Sequence, residues 1–296
     1  MTARPVRVAT RGSALARWQA ERVVQLLGST AELVIVQTTG DQRSDVPVHQ
    51  MGGTGVFVKE VQEAVLDGRA DVAVHSAKDL PAETPAGLML AAIPERGDAR
   101  DALVGSTLAA LPTGATVATG SVRRRAQLAA TRPDLGFAEL RGNIQTRLDK
   151  ASGFHAIVVA AAALDRLELA DRIAQRLSFS DMLPQVGQGA LAVECRDDDD
   201  ATRAQLDAID DRAAHAAVDA ERAFLGELGS GCSLPIGAHA EVSAASDGTD
   251  AVITIEGLVA SPDGRRVTRA GRSDPDPGRA GRALADDLRF SFEDLA

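Results

Sequence analysis

Seven short apolar runs, mostly rich in β-branched residues and bounded by Gly, Pro or Asp, punctuate the first two-thirds of the chain: 6–10, 33–38, 71–75, 88–93, 116–119, 156–160 and 190–195. Runs of this kind predict strands. Between the first two, Ala16, Ala20, Val23 and Leu27 recur at i, i+4, i+7 and i+11, which places them on one face of a helix. Strands alternating with helices predict βαβ units and largely parallel sheets.

Two stretches repeat one design. VATRGSALARWQA from Val8 and VATGSVRRRAQLA from Val117 each read as a strand, a Gly-Ser turn and an arginine-bearing helix, which predicts two similar α/β domains. PERGDARD, 94–101, is polar and turn-rich and suits a crossover or hinge. After Cys195 the run RDDDD has to be solvated. From His239 the pattern becomes alternating strands around a Ser-Pro-Asp-Gly turn and ends in a helical stretch, 279–295, which predicts a small α+β domain.

Composition narrows the function classes. The 296 residues, 45% hydrophobic and 25% charged, are ordinary globular composition. The longest apolar run, 156–164, falls far short of the roughly 20 residues of a membrane-spanning helix. MTARPVRVAT turns polar at once, unlike a signal peptide, so a cytoplasmic location and no membrane partner are expected. A net charge of −10 argues against general nucleic-acid binding, so any anion must be held locally. Cys195 and Cys232 are expected as free thiols. Of the 32 basic residues only Lys59, Lys78 and Lys150 are lysines, a bias that marks them as places where a compact ammonium is wanted.

Candidate chemistry gathers at strand ends. Neither the five histidines nor the cysteines show metal-ligand spacing, so no metal is expected. Met51-Gly-Gly-Thr-Gly-Val lacks the P-loop and dinucleotide signatures and reads either as a mobile loop over a cleft or as a plain surface turn. Thr119-Gly-Ser-Val-Arg-Arg-Arg places backbone N–H groups, the positive end of a helix and three arginines together; Arg11-Gly-Ser13 and Arg141 to Arg147 supply similar sets. A solvated basic helix start explains any one of them, and three together favour a polyanion. His75-Ser76-Ala77-Lys78-Asp79 follows a strand, where an ionisable cluster suits catalysis and helix capping alike. Cys232, in Gly-Ser-Gly-Cys-Ser-Leu-Pro, sits on an exposed loop, reactive or incidental; Cys195, inside ALAVEC, suits a buried strand.

Taken in order, ATRGSALA, GGTGVFVKE, HSAKDLP, TGSVRRRAQL, RGNIQTRL, VGQGALAVECR and GCSLPIGAHA resemble the hydroxymethylbilane synthase, or porphobilinogen deaminase, family over most of the chain. The resemblance implies two α/β domains like those of periplasmic binding proteins with the active site in a cleft between them, and a small α+β domain carrying a cysteine. The implied division is 1–93 with 190–209, then 94–189, then 210–296. It implies a monomeric transferase that deaminates four porphobilinogen molecules and joins them head to tail on a dipyrromethane cofactor. That cofactor is held by a thioether to Cys232, and hydrolysis releases the linear tetrapyrrole.

The resemblance also assigns residues. Asp79, Lys78 and Lys59 take catalytic roles, Asp79 stabilising cationic pyrrole species and Lys59 belonging to the covering loop. Lys78, Asp79, Thr119, Ser121, Arg123, Arg124, Arg147 and Gln188 are implied to contact the cofactor, and Arg11, Ser13, Arg141, Arg147 and Arg166 the substrate carboxylates. Ala77, Thr54 and Gln145 depart from the usual motifs without removing a catalytic group. Rival readings are an anion-binding protein, a cysteine hydrolase using Cys232, and a Schiff-base enzyme using Lys59 or Lys78.

Overall fold

The computed structural model describes residues 5–28, 31–38, 57–229, 235–243 and 251–293. The chain forms two compact units, Met1–Arg96 with Ala190–His215 and Gly97–Gly189 with Ala216–Ala296.

In the first unit β1 (Val6–Arg11), β2 (Ala31–Val36), β3 (Val72–Ser76) and β4 (Leu88–Ala92) join β10 (Leu191–Arg196) in the order β2-β1-β3-β10-β4. Helices α1 (Ala14–Leu27), α2 (Lys59–Leu66) and α6 (Asp200–Leu206) accompany the sheet. The apolar stripe of α1 buries Ala16, Ala20 and Val23 together with the polar Gln19. Ala20 and Val23 join Val8, Val72, Val74, Leu191 and Val193 in one core, while Val61, Ala64 and Val65 of α2 pack with Ala9 and Ala73 in another. Full burial of one valine or leucine side chain stabilises by about 1.5–3 kcal/mol, and this is what holds the helices to the sheet.

The second unit repeats the plan. Strands β5 (Asp101–Val104), β6 (Thr116–Ala118), β7 (Gly136–Ala138), β8 (Ala156–Ala160) and β9 (Ile173–Arg176) lie in the order β7-β6-β8-β5-β9. Position for position, β6, β7 and β8 stand where β1, β2 and β3 stand in the other sheet. Helices α3 (Val122–Thr131), α4 (Ile144–Asp149) and α5 (Ala161–Arg166) belong to this half. The unit also contains a three-stranded antiparallel sheet of β11 (Ile236–Ser243), β12 (Val252–Ala260) and β13 (Val267–Asp274), with α8 (Pro277–Glu293). Most of α7 (Arg212–Glu227) belongs here too, and its Phe224 packs with Ile255, Leu284 and Leu288. Gly257 admits that packing: a Cβ there would lie 2.8 Å from Leu284 Cδ2.

Both larger sheets are mixed, which corrects the expectation of largely parallel pairing. Strands β1, β2 and β3 are parallel, as are β6, β7 and β8, but β10 runs antiparallel to β3 and β4, and β5 to β8 and β9. The reason lies in the connectivity: the chain leaves β4 for β5 and returns from the other unit into β10, and each arriving strand enters its sheet against the direction of its neighbours. The runs at 6–10, 71–75, 88–93, 116–119, 156–160 and 190–195 match β1, β3, β4, β6, β8 and β10 to within one residue at either end. The second run is displaced, since β2 occupies Ala31–Val36. Strands β5, β7 and β9 were not anticipated; β7 has only three residues, and β9 is mostly half-buried.

Candidate active site

In the first unit the chemistry collects where β1 and β3 end. Arg11 closes β1, and its guanidinium carbon lies 4.3 Å from the centroid of the Phe57 ring. Ser13 caps α1, its Oγ accepting from Ala16 N at 3.3 Å, which is the strand-turn-helix that the Gly-Ser pattern anticipates. Ser76 ends β3, and a single 3₁₀ turn, Ala77–Asp79, follows. Gln19 Nε2 donates to Ser76 Oγ at 2.7 Å, tying α1 to the start of that turn. A cavity of about 60 Å³ opens here, lined among others by Arg11, Ser13, Gln19, His75, Ser76 and Asp79. Lys78 and Asp79 are half-buried.

Behind this cavity lies a buried polar group that sequence reasoning missed. Glu194, on β10, is fully buried and accepts both 2.9 and 3.1 Å hydrogen bonds from Gln62 Nε2 of α2. Its Oε2 also stands 3.2 Å from His75 Nε2. Lys59, at the start of α2, is exposed and 3.9 Å from Glu63, and it does not line the cavity. The glycine segment 51–56 preceding that helix lies outside the described residues.

In the second unit the equivalent strand-turn-helix is built alike. Thr119 N donates to Ala138 O and Thr119 Oγ1 accepts from Ser121 N at 3.2 Å; Ser121 Oγ caps α3 by accepting from Arg124 N at 3.4 Å. The three arginines then part company. Arg125 is exposed and lies over Phe137, while Arg123 and Arg124 turn inward and are 4% and 6% exposed. Both meet Asp101 of β5, each with an Nη2 at 2.8 Å from a carboxylate oxygen. Arg124 also donates to Val158 O, and Arg123 to Leu183 O. Gln188 Nε2 donates to Asp101 Oδ1 at 2.9 Å and to Ala99 O at 2.8 Å. Complete burial alone would raise the pKa of Asp101; the two guanidinium charges and the donated hydrogen bonds outweigh it and bring it down to about 2.

Arg166, the last residue of α5, donates to Gly189 O at 2.6 Å, and burial pushes its guanidinium down to about 10. Gly189 has φ +87°, and a Cβ on it would sit 2.5 Å from Gly97 O, so this turn requires glycine. Arg141 pairs with Glu139 at 3.3 Å, and Arg147 Nε donates to Gly142 O at 2.8 Å, just before Asn143, whose side chain caps α4. The structure thus gathers Arg11, Ser13 and Asp79 around one strand-end cavity, with Lys78 on the same 3₁₀ turn but not lining it, and Thr119, Ser121, Arg123, Arg124 and Gln188 around a second strand end. Cys232 lies outside the described residues. Cys195 is buried in β10, and burial raises its thiol to about 11.

Two domain families match the chain in tandem: porphobilinogen deaminase, dipyromethane cofactor binding domain, over residues 6–204, and porphobilinogen deaminase, C-terminal domain, over residues 215–289. The chain belongs to the porphobilinogen deaminase family. The porphobilinogen deaminase of Syntrophotalea carbinolica is 48% identical over 274 residues, covering 89% of this chain and 85% of that protein. That of Acidothermus cellulolyticus is 48% identical over 298 residues, covering 96% and 88%, and that of Brevibacillus brevis 45% over 292 residues, covering 95% and 93%. A periplasmic His/Glu/Gln/Arg/opine family-binding protein from Silicibacter pomeroyi aligns with TM-score 0.34 and 13% identity over 76% of this chain and 92% of that one.

Membership of the porphobilinogen deaminase family makes the chain a transferase of tetrapyrrole biosynthesis that uses a dipyrromethane cofactor. Its reaction is the stepwise deamination and head-to-tail condensation of porphobilinogen on that covalently held primer, ending in release of hydroxymethylbilane. The hydrolase, Schiff-base and solute-receptor readings fall away with this assignment. Among the described residues no helix is long and apolar enough to cross a membrane.

Proposed function

We propose that the two strand-end sites divide the family's reaction by charge. Porphobilinogen is a pyrrole with acetate and propionate arms, so its binding calls for cationic donors, and its deamination creates positive charge that calls for a carboxylate. Asp79 takes the second task, accepting from pyrrole N–H groups and stabilising the cation, with Lys78 beside it to hold a substrate carboxylate. Arg11, Ser13, Arg141, Arg147 and Arg166 serve the acetate and propionate arms of incoming substrate. Lys59 belongs to the segment that covers the site.

The cofactor is assigned to the second unit's cluster. When bound, dipyrromethane supplies the pyrrole terminus on which substrate units are added. Thr119, Ser121, Arg123, Arg124, Arg147 and Gln188 hold it, together with Lys78 and Asp79, and Cys232 is its point of attachment. One observation carries this fit: Arg123 and Arg124 present two buried cations to a single buried carboxylate, Asp101, and buried Arg123 Nε has no hydrogen-bond partner among the described residues. A buried excess charge is costly unless an anion completes it, and a pyrrole acetate or propionate supplies both the charge and the acceptor.

The proposed organisation is three domains, 1–93 with 190–209, 94–189 and 210–296, working as a monomer in the cytoplasm with no nucleic-acid or membrane partner. Intact mass of the purified chain tests the assignment directly. The expected result is one dipyrromethane above the sequence mass, mapped to the peptide containing Cys232; two unmodified thiols in active enzyme, or an adduct on Cys195, would overturn it.

A further inference from the structure

The turn Val186-Gly187-Gln188-Gly189 is tied by three different charged residues. Gly187 N donates to Glu221 Oε2 at 2.7 Å, the Gln188 side chain donates to Asp101 Oδ1 at 2.9 Å, and Gly189 O accepts from Arg166 Nη2 at 2.6 Å. Glu221 is fully buried on α7, and its other oxygen accepts from Ala240 N of β11 at 2.9 Å. A continuous polar path therefore runs from Arg123 and Arg124 through Asp101 and Gln188 to Glu221. Glu221 lies on the helix that ends at Glu227, five residues before Cys232.

We propose that Asp101 and Glu221 are positioning residues which, through this turn, hold the arginine pair in register with the helix leading to the attachment cysteine. The inference rests on the cofactor assignment above and concerns residues that touch neither substrate nor cofactor. Its physical basis is that a covalently tethered anion is captured well only if its tether and its carboxylate clamp are set at one distance from each other. Asp101 fixes the clamp: it lies between two guanidinium groups that would otherwise repel, and it neutralises one charge while leaving one for the ligand. A second carboxylate would cancel that attraction, and none would leave both cations buried without compensation. Glu221 ties α7 to the turn and to β11, because its two oxygens accept from backbone N–H groups of both. Carboxylates receiving such bonds are strong, oriented acceptors.

The test uses the full-length chain, prepared without cofactor and then incubated with porphobilinogen, with the adduct on Cys232 followed by intact mass. Asp101→Asn and Glu221→Gln should each slow loading on the order of tenfold, the size of loss typical of groups that orient a ligand's direct partners. Because both act through one turn, the double variant should load about as slowly as the worse single variant, whereas independent sites would multiply their effects. Loading at the wild-type rate in both single variants, or multiplicative losses in the double variant, overturns the proposal. Should a variant fail to fold, hydrogen exchange on the wild-type chain decides: Gly187 and Ala240 amides should exchange several-fold more slowly once the cofactor is attached, and equal exchange overturns the coupling. A wild-type chain that acquires no adduct at all marks failure of the cofactor assignment itself.

Discussion

Glu194 Oε2 lies 3.2 Å from His75 Nε2, and the two side chains are only 1% and 3% exposed. The same carboxylate receives both hydrogen bonds from Gln62, so one residue of β10 joins α2 to the strand that carries the turn of Lys78 and Asp79. Glu194→Ala would strand the Gln62 amide and leave His75 facing a void. An unsatisfied buried polar group costs about 1–3 kcal/mol, so a loss on the order of 3 kcal/mol is expected in urea denaturation. Glu194→Gln keeps an acceptor for Gln62 and should lose less than half of that. An alanine variant within 0.5 kcal/mol of wild type, the range of ordinary surface substitutions, would show that the tie carries no weight.

Asp101 should impose a distinct acid limit on the second unit. Its carboxyl is held down to about 2 in the folded chain, against an ordinary value of 3.8, by the charges of Arg123 and Arg124 and the hydrogen bond from Gln188. A depressed folded pKa means that the unfolded chain binds the proton more readily. The stabilisation is therefore present in full above about pH 4 and lost as pH falls toward 2. The shift corresponds to roughly 2 kcal/mol. Denaturation midpoints measured between pH 5 and 2 should fall more steeply in wild type than in Asp101→Asn. Parallel curves would place the acid sensitivity elsewhere.

Much of this arrangement was legible along the chain. The Gly-Ser turns at Ser13 and Ser121 announced two similar strand-turn-helix units because capping is local chemistry, and both serines do cap their helices. Asp101 was not legible as a site residue. It ends the polar stretch read as a hinge, and only the antiparallel entry of β5 beside β8 brings it under the arginines. Glu194 was hidden for a related reason: a charge inside ALAVEC shows no partner until α2 and β3 are packed over it. Gln19 left a faint signal, a polar residue on the apolar face of α1. The arginine triplet reads as one basic helix start, yet helical geometry sends Arg123 and Arg124 into the core and Arg125 outward. Replacing Arg123 or Arg124 by leucine should consequently cost folding stability as well as cofactor binding, because Asp101 would lose a partner.

The two cysteines should differ sharply toward thiol reagents. Cys195 is fully buried and its thiol is raised to about 11, both of which suppress the reactive thiolate. With Cys232 occupied by a thioether, native holoenzyme should show no fast-reacting thiol, and cofactor-free chain should show one. Ellman titration under native and denaturing conditions measures this. Two fast thiols in the cofactor-free chain would contradict the burial of Cys195, and one fast thiol in fully loaded enzyme would contradict attachment at Cys232.

Asp79 offers the sharpest test of the chemistry. It closes the 3₁₀ turn after β3, lines the same cavity as Arg11, Ser13 and His75, and is half-buried. In that position its charge can oppose positive charge developing on a pyrrole without the full screening of bulk water. Asp79→Asn preserves shape and removes the charge, and loss of one preorganised group of this kind costs on the order of 10²–10³ in rate. Asp79→Glu keeps the charge but displaces it by one methylene, and should retain more activity than the asparagine variant. Cofactor content has to be measured in both by intact mass, since incomplete loading would imitate a chemical defect. Rates are then compared per loaded chain over the early additions, with substrate saturating. An Asp79→Asn enzyme that is fully loaded and forms product at close to the wild-type rate would reduce Asp79 to a binding or capping residue, and the stabilising charge would have to come from another group at the cavity.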